Sequence, residues 1–102
     1  MESKGLSILN IRKIINILSD ELEKLENKDI GILEDDLYWN ILEDELYNPY
    51  HEPSHLTMGS ITEDWEFLQK ILNGEREMID YDLYKVASIL RFLGKNNMIN
   101  TK

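Results

Sequence analysis

Cysteine is absent from the 102 residues. That rules out disulfides, thiolate metal ligands and a cysteine nucleophile. Proline occurs twice and glycine five times, so few positions interrupt regular structure. No run approaches the ~20 apolar residues that span a bilayer. The N-terminal apolar stretch is broken by Arg12 and Lys13, and no small-residue cleavage site follows it. No secretory signal is expected, and the expected compartment is the cytoplasm. Lysine and arginine are missing altogether between Asp29 and Glu66.

That same stretch carries 11 acidic residues: Asp29, Glu34, Asp35, Asp36, Glu43, Asp44, Glu45, Glu52, Glu63, Asp64 and Glu66. The flanks differ. Residues 1–19 hold Lys4, Arg12 and Lys13 against Glu2, and residues 83–102 hold Lys85, Arg91, Lys95 and Lys102 against no acid. The net charge of −9 is therefore concentrated in the middle. Such a segment repels nucleic acid phosphates and anionic membrane and attracts basic proteins. With 42% hydrophobic and 30% charged residues, the composition is that of a folded protein. The length suits one domain over 1–102, with a polar, frayed tail at 96–102.

Helical periodicity dominates. Ile8, Ile11, Ile15, Leu18, Leu22 and Leu25 follow a 3-4-3-4-3 spacing, which predicts a helix over about 6–26. Ile14 and Ile17 widen the stripe to a core-packing face. Asp20 and Lys24 are placed to pair on the outside, and Asn27 and the polar residues after it end the helix. Ser60 and Glu63 form an S-x-x-E capping box. It opens a second helix over 61–73, with Ile61, Trp65, Leu68 and Leu72 inward and Asn73-Gly74 as a stop. Asp80 is placed to cap a third helix over 81–93, with Leu83, Val86, Ala87, Leu90 and Leu93 buried and Gly94 ending it.

Residues 28–46 are ambiguous. Leu37, Trp39 and Ile41 alternate as in a strand, while Leu37, Tyr38, Ile41 and Leu42 share a helix face. Glu34, Asp35 and Asp36 suit a helix N-terminus, which favours helix. Residues 47–58 contain Pro49 and Pro53 and read as a loop, ordered by Tyr47 and Tyr50. The expected fold is a small all-α helical bundle.

Catalytic patterns are scarce. His51-Glu52-Pro53-Ser54-His55 matches the H-E-x-x-H metalloprotease signature, which needs both histidines on one helix face to meet a Zn²⁺. Pro53 lies inside the motif and disfavours that helix, so a polar loop with two histidines and no metal is expected. No phosphate-binding glycine loop, dinucleotide fingerprint or serine elbow is present, so no cofactor is expected either. Asp35/Asp36 and Glu43/Asp44/Glu45 read as solvated faces, not a catalytic dyad.

Six of the nine aromatics, Tyr38, Trp39, Tyr47, Tyr50, Trp65 and Phe67, fall in or beside the acidic stretch. Carboxylates steer and pair with Lys and Arg, while aromatics supply anchoring area and cation–π contacts. Trp65 reads as core, because it lies on a helix stripe.

From about Tyr38 to Gly94, Leu56-Thr57, Gly59, Asp64-Trp65, Tyr81-Asp82-Leu83, Ala87 and Ile89-Leu90-Arg91 resemble a group of small acidic bacterial proteins. That group is similar to the immunity proteins of contact-dependent growth inhibition systems, which neutralise a toxin domain delivered by a neighbouring cell. The resemblance implies a non-enzymatic inhibitor that occludes a cationic toxin, with nuclease (RNase) the expected class. Asp35, Asp36, Tyr38, Glu43, Asp44, Tyr47, Tyr50 and Glu52 are the expected toxin-binding residues. Two alternatives stand beside it: an acidic DNA-mimic or adaptor for another basic protein, and a metal-dependent hydrolase using His51, Glu52 and His55.

Overall fold

The computed structural model describes residues 5–96, so the expected tail lies, beyond Asn96, outside the described residues. These residues divide into two compact units, one reaching to Ile30 and the other spanning Gly31–Asn96.

The first unit contains helix α1 (Ile8–Glu23). Ser7 caps it by accepting the Asn10 N–H at 3.2 Å, which satisfies one of the otherwise orphaned first-turn donors. It ends three residues short of the expected boundary, where Lys24 caps the chain. Lys24 pairs with Glu21 at 3.2 Å, not with Asp20. Both groups are solvent-exposed, so the pair contributes little. No residue of α1 is fully buried.

The second unit overturns the all-α expectation. It runs β1 (Leu37–Ile41), α2 (Glu43–Leu46), β2 (Leu56–Ser60), α3 (Ile61–Leu72) and α4 (Asp80–Lys95). The described residues thus form four helices and a two-stranded antiparallel sheet, a mixed architecture and not a helical bundle. Leu37 pairs with Ser60, Trp39 with Met58 and Ile41 with Leu56. The alternation at Leu37, Trp39 and Ile41 prevailed over the helical reading. Tyr, Trp and Ile favour a pleated surface, and the acids ahead of them cap no helix. Instead Asp36 Oδ2 accepts the Leu33 N–H at 2.7 Å and closes a turn. The expected loop at 47–58 is likewise cut short, because β2 begins at Leu56. Both prolines fall between the strands, where no ladder donor is needed.

Strand β2 runs into α3 without a loop. Ser60 is the last strand residue and the helix N-cap, accepting the Glu63 N–H at 3.2 Å. The Ile61 N–H donates to the Asp36 carbonyl at 3.0 Å, tying the helix start to the entry of β1. A two-stranded sheet alone is marginal in water, and here α3 packs against it. Gly74, at φ 74°, follows α3 in the left-handed conformation that glycine adopts without strain.

The packed faces of α3 and α4 are rotated from the expected stripes. In α3, Ile61 and Asp64 are buried and Leu68 and Ile71 half-buried, while Trp65 and Leu72 are exposed. In α4, Asp82 is buried and Lys85, Val86, Ile89, Phe92 and Leu93 are half-buried, while Leu83, Ala87 and Leu90 are exposed. On the packed faces sit two buried carboxylates, Asp64 paired with Lys85 and Asp82 paired with Arg76. Asp80 is the first residue of α4, not its cap. The Ile79 N–H is instead satisfied by Asp82 Oδ2 at 2.8 Å. Gly94 does not end α4, which continues to Lys95 and is capped at Asn96.

Candidate protein-binding surface

Three polar clusters position the second unit's surface. The first is centred on Asp64, which is 2% exposed. Its Oδ2 accepts the Tyr38 hydroxyl at 2.5 Å and the Ser88 hydroxyl at 2.6 Å, and its Oδ1 pairs with Lys85 Nζ at 2.9 Å. This joins β1, α3 and α4 through one carboxylate. Burial, reinforced by the Asp64 hydrogen bond, pushes the Tyr38 pKa up. Burial works against the Lys85 charge, but the pairing with Asp64 and the neighbouring Tyr81 outweigh it and raise that pKa. Lys85 Nζ also lies 4.9 Å from the centre of the Tyr81 ring, within cation–π range.

Gly59 makes this cluster possible. It stands opposite Tyr38 in the strand register, and a Cβ there would run into the Tyr38 ring. The ring crosses the space over Gly59 to bring its hydroxyl to Asp64.

In the second cluster, Arg76 grips Asp82 with both terminal nitrogens, at 2.6 and 2.8 Å. One nitrogen also donates to the Phe67 carbonyl at 2.8 Å, and the guanidinium lies 4.1 Å from the Phe67 ring centre. Arg76 thus joins the middle of α3 to the start of α4. The Arg76 hydrogen bonds hold the Asp82 carboxyl below its ordinary pKa. The third cluster is Glu45, which accepts the Ser54 hydroxyl and the Ser54 and His55 N–H groups. The hydrogen bond from the Ser54 side chain leads in lowering the Glu45 pKa. Glu45, not Tyr47 or Tyr50, orders the proline-containing loop.

The eight expected binding residues divide accordingly. Tyr38 is half-buried and committed to Asp64. Asp36 closes the turn before β1, and Glu43 accepts the Tyr84 hydroxyl at 2.6 Å, which raises the Tyr84 pKa. Asp35, Asp44 and Glu52 are exposed. Tyr47 and Tyr50 are also exposed, at 75% and 92%. Tyr50 and Glu52 line a shallow concavity of about 370 Å³ together with Ile41, Leu46 and His51. The loop from His51 to His55 is not helical, so the two histidines lack the shared helix face of a zinc site. Among the described residues, no three His, Cys, Asp or Glu side chains gather closely enough to hold a metal. No helix among them is long and apolar enough to cross a membrane.

Sequence reasoning missed the exposed aromatic next to Tyr38. Trp39 points to the opposite side of the sheet and is 66% exposed. The period-2 alternation carried that signal, since it separates Trp39 from Tyr38.

Compared with known proteins, the chain matches no family model, no curated protein and no solved structure.

Proposed function

We propose that this protein is a stoichiometric binder of a cationic protein and acts in the cytoplasm as an immunity protein that neutralises a nuclease toxin. The observation that carries this reading is the absence of any lysine or arginine across Asp29–Glu66, a stretch with 11 carboxylates. Nuclease surfaces are basic where they grip phosphates. An inhibitor whose exposed charges in such a segment are all acidic can occupy that surface and associate quickly by steering. Asp35, Asp44 and Glu52 supply exposed carboxylates, and Tyr47 and Tyr50 supply exposed aromatic area. Tyr38 leaves the proposed contact set, because its hydroxyl is committed to Asp64.

The test is co-expression with a panel of cationic bacterial nuclease toxin domains, scored by growth. Calorimetry on any toxin that is neutralised then gives the stoichiometry. The proposal expects protection against at least one domain with an equimolar complex. Protection against none would contradict it. A complex displaced by duplex DNA at equal charge would favour the DNA-mimic alternative.

A further inference from the structure

Within the second unit, the sheet leaves one face uncovered. The register places Leu37, Trp39 and Ile41 of β1 with Leu56, Met58 and Ser60 of β2 on one side, because side chains alternate and directly opposed residues share a face. The other side carries Tyr38 and Gly59 and is bound to α3 through Asp64. On the bare side Met58 is 59% exposed and Leu37 and Leu56 are each 49% exposed, around the still more exposed Trp39. A cluster of exposed large apolar side chains rimmed by charged residues is a candidate contact site. Trp39 at its middle is the side-chain type most often found as an interface anchor.

The charges around the patch say what meets it. Leu37 faces Ser60, so Glu34 and Asp35 before β1 lie at the same end of the sheet as Glu63 after β2. Ile41 faces Leu56, so Asp44 and Glu52 lie toward the other end. No lysine or arginine occurs anywhere in this segment. A second copy of the chain would meet the patch in a self-complementary contact and set these acids against one another. A partner presenting an apolar side chain between lysines or arginines gains at both the centre and the rim.

Resting on the proposed cationic partner, we infer that Leu37, Trp39, Leu56 and Met58 form the apolar anchor of its binding surface. The partner element they take is apolar at its centre and flanked by Lys or Arg. The acidic residues at the two ends of the sheet supply the rim. Tyr47 and Tyr50 extend the contact but do not centre it.

The test uses the full chain carrying Trp65→Phe, so that Trp39 is the only tryptophan. Two synthetic peptides of equal length and charge are titrated at low salt, one alternating Lys with Leu and the other alternating Lys with Ser. The Lys–Leu peptide should bind about tenfold or more tightly and shift Trp39 emission to the blue. Met58→Thr, which keeps a strand-forming side chain, should abolish most of that advantage and leave Lys–Ser binding unchanged. Equal affinity for both peptides with Trp39 emission unmoved would overturn the anchor and leave the cationic-partner reading standing. Failure of both peptides to bind would overturn both. A blue shift that grows with protein concentration, with dimers in sedimentation, would assign the face to a second copy and also overturn the inference.

Discussion

Asp64 is the residue on which the second unit depends most. A buried carboxylate is tolerated only when its lone pairs and charge are met, and Tyr38, Ser88 and Lys85 meet them. Removing one partner of such a set leaves the rest desolvated. Asp64→Ala should therefore destabilise the protein by about 3 kcal/mol or more in urea unfolding, and Ser88→Ala by about 1 kcal/mol. A loss for Asp64→Ala no larger than that for Ser88→Ala would mean the cluster is solvated. Gly59 tests the same cluster from the sheet side. Gly59→Ala should destabilise because the new Cβ meets the Tyr38 ring. In a Tyr38→Ala background most of that cost should vanish, and a double-mutant cycle in unfolding free energy measures the coupling. Additive effects would remove the close approach as the reason for glycine there. Neither residue was legible in the sequence in this role. The pattern places Asp64 in an acidic run and Tyr38 among candidate surface anchors, because pattern reading assigns carboxylates to solvent.

At the scale of elements, the helices with capping signals were legible and the hairpin was not. Ser60 announced α3 correctly because its hydroxyl is at hand for the Glu63 N–H. The start of α4 was misplaced by a residue because its cap is not Asp80. Asp82 reaches back to the Ile79 N–H while held by Arg76. The strands escaped because β1 and β2 are separated by a loop that itself contains a short helix, so no tight-turn signal joined them. The α4 start carries a pH prediction. Arg76 holds the folded Asp82 pKa below its ordinary value. Its stabilising contribution is fully present above the unfolded carboxylate pKa and is lost as pH falls through the lower folded value. Unfolding free energy measured from about pH 5 down to about pH 2 should fall more steeply for wild type than for Asp82→Asn. Parallel curves would remove Asp82 from the acid sensitivity. Arg76→Lys should not preserve this site, since an ammonium cannot hold both carboxylate oxygens and the Phe67 carbonyl in one plane.

At the scale of the whole molecule, the feature most legible in the sequence was the charge segregation. It carries the functional proposal, and the fold adds to it. The hairpin places the acidic runs at the two ends of an exposed apolar face, which a helical bundle would not have done. Which aromatic lay outside was not legible, because that depended on reading residues 37–41 as a strand. The most direct test is the salt dependence of association with a neutralised cationic toxin, followed by stopped-flow. Exposed charges are screened over ~8 Å at physiological salt. The account predicts that raising salt slows association strongly and changes dissociation much less. It also predicts that Asp35→Asn, Asp44→Asn and Glu52→Gln together slow association at low salt with little change in stability. A salt-independent association rate, with full protection kept by that triple variant, would contradict it and leave the acidic face as an aid to solubility only.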